Sequence, residues 1–255
     1  IWKYDFNNNL WNEQIRICGR NSDKCGYIGY SLNASRTKIV AYGKDSALNL
    51  WVRQDIHQPF SEKHAQSGNS GIVTGIAISP KGIPIIATCS LDKTVRVYGL
   101  VDSCNQGWSE ISRPFIHGHN FNAISWLNEF NLVTAASEKP LRLHEPSKVF
   151  YKILNKFNIL KSYPDNLEQL SSCGLLQALN LTQIPNFDEN KTNDIFGEIF
   201  KCQVEGDSKP GLFNDYFLKN CTLWPEKRLL YAHGNSVINL ASNHSGTLLA
   251  SSSEV

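Results

Sequence analysis

Methionine is absent from the 255-residue sequence, including position 1. This absence leads us to expect that the chain is a portion of a longer protein. The sequence also lacks any uninterrupted apolar run of the roughly 18 residues that a membrane-spanning helix requires. Its first residues contain neither the basic nor the apolar region of a secretory signal peptide. A membrane partner is therefore not expected.

The sequence has almost no net charge. Twenty-five lysines and arginines face 23 aspartates and glutamates, which leaves +2 at pH 7. This balance provides no overall electrostatic attraction to nucleic acid or anionic lipid. Hydrophobic residues make up 41% and charged residues 19%, the composition of a folded globular chain. The seven cysteines are scattered without a C-x-x-C pair, which predicts small buried thiols in a reducing compartment.

Motifs that identify common enzymes are missing. The chain contains no G-x-S-x-G, H-E-x-x-H, P-loop or G-x-G-x-x-G. His117 and His119 offer two imidazoles to a metal, but no third ligand follows at a suitable spacing. We therefore expect no catalytic residue, no metal site and no cofactor.

What the sequence does contain is a repeat. An apolar run, an acidic turn residue and an alternating run that ends in a ring occur three times, in IVAYGKDSALNLW, IIATCSLDKTVRVY and LVTAASEKPLRLH. Each acidic residue precedes its ring by six positions, in the pairs Asp45–Trp51, Asp92–Tyr98 and Glu138–His144. Successive acidic residues are 47 and 46 positions apart, just above the period of about 40–45 residues of four-stranded propeller blades.

A second recurring mark is a His-Gly pair. His117 lies 21 residues before Glu138, and His233 lies 21 residues before Glu254. The equal intervals predict that another blade begins at His233. In the blade of Asp92, Gly68 or a neighbour takes the place of the histidine, so its polar network is expected to be incomplete.

Strand periodicity supports an all-β fold. Val95 and Val97 alternate with Arg96, which is the period of a half-buried strand. The stretch between Pro146 and Tyr231 departs from this regularity and is rich in Asn, Lys, Leu and Ser. We interpret it as a degenerate blade with long loops and strands at 174–181 and 195–204. A short helix at 167–181 is the alternative.

These residues resemble WD40-repeat proteins and, within them, the family of second subunits of the Elongator complex. The resemblance rests on IWKYD with WNEQIRIC, GYIGYSLNASRTKIVAYGKDSALNLW, HGHNFNAISWLNEFNLVTAASEKPLRLHEP and LWPEKRLLYAHGNSVINLASNHSGTLLAS. It implies partial WD40 β-propellers: the last blades of a first propeller at 1–146, a divergent closing blade or connector at 147–221, and the beginning of a second propeller at 222–255.

The resemblance also implies roles for the repeated residues. In such blades the turn acid accepts hydrogen bonds from turn amides and from the entry-loop histidine, while a strand hydroxyl links that histidine to the terminal ring. The expected structural network comprises Asp45, Trp51, Asp92, Tyr98, His117, Glu138, His144, His233 and Glu254.

The implied function is a non-catalytic scaffold that supports modification of the transfer RNA wobble uridine. Its partners would be the large scaffold subunit and the acetyltransferase-like catalytic subunit of Elongator, and its location the cytoplasm, with the nucleus as a second compartment. Two other functions compete with this one. The chain could be a WD40 adaptor of another complex, such as a ubiquitin-ligase substrate receptor or a trafficking scaffold, or an enzyme built on a propeller.

Basic residues near the predicted turns and outer strands raise a further expectation. Lys93, Arg96, Lys139 and Arg142 could contact transfer RNA phosphates or a protein partner. The alternative is an ordinary solvated face.

Overall fold

A computed structural model describes most of the chain. The described residues are 2–13, 27–43, 48–55, 58, 60–64, 68–101, 108–160, 163–187, 213, 215–231 and 233–254. The chain divides into two compact units, Ile1–Ala65 and Gln66–Val255.

The first unit contains a hairpin and a four-stranded antiparallel sheet in chain order. The hairpin joins β1 (Trp2–Asp5) to β2 (Leu10–Glu13), and the sheet comprises β3 (Tyr27–Leu32), β4 (Lys38–Gly43), β5 (Leu48–Val52) and β6 (Ser61–His64). Ile39, Ala41 and Trp51 form its buried cluster, with Phe60 packed against them. Apolar residues of the first repeat therefore form the buried face of this sheet.

In its described residues, the second unit contains two four-stranded sheets, two shorter sheets and two α-helices. Its elements are β7 (Val73–Ile78), β8 (Ile85–Ser90), β9 (Thr94–Leu100), β10 (Trp108–Ile116), β11 (Phe121–Trp126), β12 (Leu132–Ala136), β13 (Pro140–His144), α1 (Lys148–Lys156), β14 (Cys173–Leu176), β15 (Gln183–Asn186), α2 (Asp215–Cys221), β16 (Glu226–Tyr231), β17 (Val237–Ser242) and β18 (Leu249–Ser253). The sheet orders are β7–β8–β9–β10, β11–β12–β13–β16, β14–β15 and β17–β18, all antiparallel.

The sheets of the second unit lie side by side like consecutive propeller blades. The first strand of each sheet contacts the next, since β7 packs on β11 and β11 packs on β17. Trp126 on β11 also donates its Nε1–H to the Ala77 carbonyl on β7 at 3.1 Å. The prediction of an all-β fold made of propeller blades is confirmed.

Two hairpins share a turn that was not predicted from the sequence. In the β3–β4 turn, Asn33 Oδ1 accepts hydrogen bonds from the backbone N–H groups of Thr37 and Lys38, both at 2.8 Å. In the β17–β18 turn, Asn243 Oδ1 accepts from Thr247 and Leu248, both at 2.9 Å. Both segments read N-x-S-x-T, so the asparagine closes the turn by replacing a backbone acceptor.

Residues 147–225, named the connector below, contain two helices and a short hairpin in their described part. Ser147 caps α1, whose Phe150, Ile153 and Leu154 are buried. The expectation of a divergent closing blade or connector at 147–221 stays a prediction, but the alternative helix at 167–181 is wrong. The structure has 3-10 turns at Leu167–Gln169 and Ala178–Asn180 with β14 between them. The second predicted strand, at 195–204, lies outside the described residues.

The strand after the connector belongs to the sheet before it. β16 pairs with β13, so Leu141 lies opposite Leu230 and Arg142 opposite Leu229. Residues 222–255 were expected to begin a separate propeller, but β16 lies in the sheet of β11–β13, and the following sheet consists, in the part of the chain that the structure describes, of β17 and β18. A local pattern cannot reveal this pairing because more than 80 residues separate the two strands. The assignment of the flanking segments to two propellers stays a prediction.

Candidate functional site

The turn between β8 and β9 is held by Asp92. Its Oδ1 accepts from the Thr94 N–H at 3.0 Å and from Thr94 Oγ1 at 2.7 Å, and its Oδ2 accepts from the Ser70 N–H at 2.8 Å. Burial opposes ionisation of this carboxyl, but these hydrogen bonds outweigh it and lower the pKa of Asp92. Asp92 is therefore a turn-closing carboxylate.

Asn69 takes the place that the entry-loop histidine has in the blade of Glu138. Thr88 Oγ1 on β8 donates to Asn69 Oδ1 at 3.1 Å, so an amide on the entry loop reaches the strand hydroxyl. Asn69 is the residue next to Gly68, and its buried Nδ2 has no hydrogen-bond partner among the described residues, so the incomplete network expected in this blade stays a prediction. Tyr98 lies half-buried on β9 opposite Ile86 and Glu110, and burial raises its pKa.

Glu138, His117 and His144 meet in the sheet of β11–β13 and β16. His117 Nε2 lies 3.3 Å from Glu138 Oε1, although without hydrogen-bond geometry, and His144 Nε2 is 3.2 Å from Thr134 Oγ1. The Phe115 ring packs against both imidazoles, with centroids 5.3 Å from His117 and 4.3 Å from His144. The structure thus brings the predicted turn acid, entry histidine and terminal ring into one buried cluster.

Both histidines are neutral in this environment. The His119 N–H donates to His117 Nδ1 at 3.0 Å, which places the ring proton of neutral His117 on Nε2, toward Glu138. Burial lowers the pKa of His117 to about 4, even though Glu138 favours the charged form. Burial, assisted by Arg142 and His117, lowers the pKa of His144 to about 3.

Arg142 joins this cluster to β16. Its Nε donates to Glu138 Oε1 at 2.6 Å and its Nη2 to Glu138 Oε2 at 2.9 Å, while Nη1 pairs with Glu226. The guanidinium is 6% exposed and lies 5.9 Å from the centroid of the Phe115 ring. Arg142 was expected to contact RNA or a partner. This expectation is wrong, because the side chain is buried and its charge is paired with Glu138 and Glu226 inside the blade.

Arg96 is buried in the same way. Its Nη1 donates to Glu110 at 2.9 Å, and Arg113 donates to the same carboxylate and pairs with Asp215 on α2 at 2.8 Å. Burial opposes the charge, but Glu110 and Asp215 raise the pKa of Arg113. The expected surface contact through Arg96 is therefore also wrong. The alternation of residues in β9 predicts that Arg96 faces away from Val95 and Val97. It does not reveal that this second face of the sheet is also buried.

The other two predicted contact residues are at the surface. Lys93 and Lys139 are exposed and follow Asp92 and Glu138 directly, so they occupy equivalent turns of neighbouring sheets. Lys93 has a positive φ of 67°, the left-handed conformation that this tight turn requires. Their contact with RNA or a partner stays a prediction.

The remaining network residues lie at the two ends of the chain. His233 Nε2 is 2.7 Å from Ser251 Oγ on β18, and the exposed Glu254 donates its backbone N–H to the Ser236 carbonyl at 3.0 Å. Trp51 is buried in the first unit. Asp45 lies outside the described residues.

Trp224 anchors the connector, a role that no sequence pattern indicated. Its indole is fully buried, packs on Phe150 at 4.7 Å between centroids, and donates Nε1–H to Ser112 Oγ on β10 at 3.1 Å. Gln183 on β15 donates from Nε2 to the carbonyls of Pro114 at 2.9 Å and Trp224 at 2.6 Å. The connector is therefore tied to β10 by buried polar contacts as well as by apolar packing.

These arrangements are suited to holding blades together. Among the described residues, no group of three or more His, Cys, Asp or Glu side chains could hold a metal ion. Cys89, Cys173 and Cys221 are buried free thiols, and burial raises the pKa of Cys89 to about 11. Neither described helix is long and apolar enough to cross a membrane.

Four-stranded antiparallel sheets whose first strands lie side by side are the arrangement of consecutive blades in a β-propeller protein. In agreement, the family model described as "WD domain, G-beta repeat" matches residues 60–99. A chain of the mitotic checkpoint complex crystal structure aligns with 89% of this chain and 46% of its own length, at a TM-score of 0.37 and 10% identity.

Over nearly its whole length the chain resembles Elongator complex protein 2 of several eukaryotes. The protein of Rattus norvegicus is 28% identical over 98% of this chain and 32% of its own length. The Homo sapiens protein is 25% identical with the same coverage, and that of Schizosaccharomyces pombe is 25% identical over 99% of this chain and 34% of its own length. The chain thus spans about a third of the length of these relatives.

Proposed function

We propose that this chain is part of a non-catalytic WD40 scaffold subunit of an Elongator complex, and that it supports modification of the transfer RNA wobble uridine through protein–protein contacts. Its partners would be the large scaffold subunit and the acetyltransferase-like catalytic subunit. The proposed location is the cytoplasm, with the nucleus as a second compartment.

The observation that carries the proposal is the combination of relatives and site chemistry. The relatives that cover 98% of the chain bear the name of an Elongator subunit. The acidic and histidine side chains that could otherwise suggest catalysis are engaged within blades: Asp92 closes a turn, Glu138 binds Arg142, and His144 contacts Thr134. Because these side chains are already engaged in contacts within the blades, they support a scaffold role, in which the protein offers binding surfaces to its partners.

Affinity purification of the tagged full-length protein from its own cells tests this proposal. We expect the other Elongator subunits to copurify in near-equal amounts and to remain bound through size-exclusion chromatography. Copurification of ubiquitin-ligase or trafficking components, with Elongator subunits absent, would contradict the proposal and favour the adaptor function.

A further inference from the structure

The outer edge of β10 is covered without a neighbouring strand. β10 is the last strand of the sheet β7–β8–β9–β10, and among the described residues no further strand pairs with its outer side. Such an edge presents backbone N–H and C=O groups to which a strand of another chain can pair. Seven of the nine residues of β10 are nevertheless buried. Some other part of the chain therefore takes the place of a strand.

Thr222 of the connector closes the first group of this edge. Its Oγ1 accepts from the Arg113 N–H of β10 at 2.9 Å and donates to the Leu218 carbonyl on α2 at 2.6 Å. The Thr222 carbonyl accepts from Ser112 Oγ at 3.0 Å. Thr222 is fully buried, so water does not compete for these contacts. One threonine thus satisfies an edge amide of β10 and joins it to a helix of the connector.

Gln183 on β15 closes the next groups along the same edge. Its Oε1 accepts from the Ile116 N–H at 3.2 Å, and its Nε2 donates to the Pro114 carbonyl at 2.9 Å. The Trp224 N–H donates to the same carbonyl at 2.9 Å. A side-chain amide offers a carbonyl acceptor and N–H donors, the same groups that a peptide unit offers. The connector therefore supplies to β10 the hydrogen bonds that a neighbouring strand would supply.

β10 also has two features of its own that oppose strand addition. Pro114 has no N–H to donate, and the pairing of β10 with β9 is irregular on both sides of Ser112. Sheets of natural proteins use prolines, bulges and covering segments at their edges to prevent pairing with other chains. The covering by the connector and the irregular strand thus serve the same end.

We propose that the connector is an edge cap that prevents β10 from pairing with a second copy of this chain. The excluded partner is β10 of the second copy, because two identical edges can pair about a twofold axis and satisfy each other. The N–H groups of Arg113 and Ile116 would take part in this pairing. The inference is independent of the proposed Elongator function, since it depends only on the contacts between the connector and β10.

The test is the full-length double variant Thr222→Val, Gln183→Leu, which removes the covering groups with little change in side-chain volume. In dilute protein we expect amide hydrogen exchange at Arg113 and Ile116 to become about tenfold faster, the effect of losing one hydrogen bond at each amide. As the protein concentration rises, light scattering should show a rise in mass that the unmodified protein lacks. Exchange at both amides should then slow again, because the second copy covers them.

The matched control is the double variant Thr182→Val, Gln177→Leu. It removes the same two side-chain groups from the same connector, at a place where Thr182 Oγ1 donates to Gln177 Oε1 at 2.7 Å and neither contacts β10. This control should retain the mass of the unmodified protein and its exchange rates at β10. Thr222→Ser keeps the hydroxyl, so it should keep the Arg113 amide protected.

Unchanged exchange at Arg113 and Ile116 in the double variant would overturn the inference. Faster exchange without a rise in mass, a rise in mass that leaves the two amides unprotected, or equal association of the control would also overturn it. If the double variant does not fold, Thr222→Val alone decides, because it retains the contacts of Gln183. The Arg113 amide should then be accelerated more than the Ile116 amide, and equal acceleration would contradict the proposed cap.

Discussion

Arg142 connects two carboxylates that come from distant parts of the chain. Glu138 lies four residues before it, whereas Glu226 follows the connector on β16. Removing the guanidinium would leave both carboxylates without their shared cation in a largely buried place. Because breaking a buried ion pair leaves uncompensated charge, we expect Arg142→Met to lower the free energy of unfolding by about 3–5 kcal/mol.

Urea denaturation of the full-length protein, followed by fluorescence, measures this change. Lys139→Met is the matched control, since it removes an exposed cation from the adjacent turn and should alter stability by about 0.5 kcal/mol or less. Equal midpoints for the two variants would show that the ion network contributes nothing.

The two buried histidines should make the fold sensitive to acid. Their folded pKa values, about 4 for His117 and about 3 for His144, lie below the ordinary value of 6.5. As pH falls below 6.5 the unfolded chain takes up protons that the folded chain does not, so stability is lost progressively between 6.5 and the folded values. Each histidine should cost about 2 kcal/mol by pH 5.

Replacing His144 by phenylalanine isolates its share of this effect. The ring would still pack on Phe115, but the titrating group would be gone. We expect a shallower loss of stability between pH 6.5 and 5 for His144→Phe than for the unmodified protein. Parallel pH profiles from denaturation curves would refute the assignment.

At the scale of elements, the connector is secured by a few residues. Trp224 fills the space beside Phe150 and hydrogen-bonds to Ser112, so Trp224→Ala removes both a large apolar contact and a polar one. A cavity of this kind typically costs about 3–5 kcal/mol. We expect limited proteolysis to cut the connector of this variant much faster. Trp108→Ala, at a partly exposed tryptophan on β10, should be digested at the original rate; equal rates for both variants would contradict the anchoring role.

The sequence predicts strands and turns well where the pattern is local. The repeats at Asp92 and Glu138 correctly indicate strand–turn–strand units, because alternation and a turn acid are properties of neighbouring residues. The pairing of β16 with β13 could not be predicted, since it depends on the path by which the connector brings the chain back to the edge of β13. The burial of Arg96 and Arg142 was missed for the same reason, because their carboxylate partners include residues of other strands.

At the scale of the whole molecule, the exposed turn lysines offer a test of RNA contact. If Lys93 and Lys139 touch transfer RNA phosphates, the double variant Lys93→Glu, Lys139→Glu should bind purified transfer RNA more weakly. Its log affinity should also fall less steeply with log salt, by up to about two in slope. Lys219→Glu changes an exposed lysine on α2 and should retain the original salt dependence. Identical salt slopes for the double variant and the unmodified protein would show that Lys93 and Lys139 do not contact transfer RNA.

The scaffold proposal makes its most direct prediction in cells. Deletion of the gene that encodes the full-length protein should abolish carbon-5 modification of the wobble uridine, measured by mass spectrometry of purified transfer RNA, while the catalytic subunit remains present. Reintroduction of the unmodified protein should restore the modification. Wobble-uridine modification at its normal level in the deletion strain would contradict the proposed function.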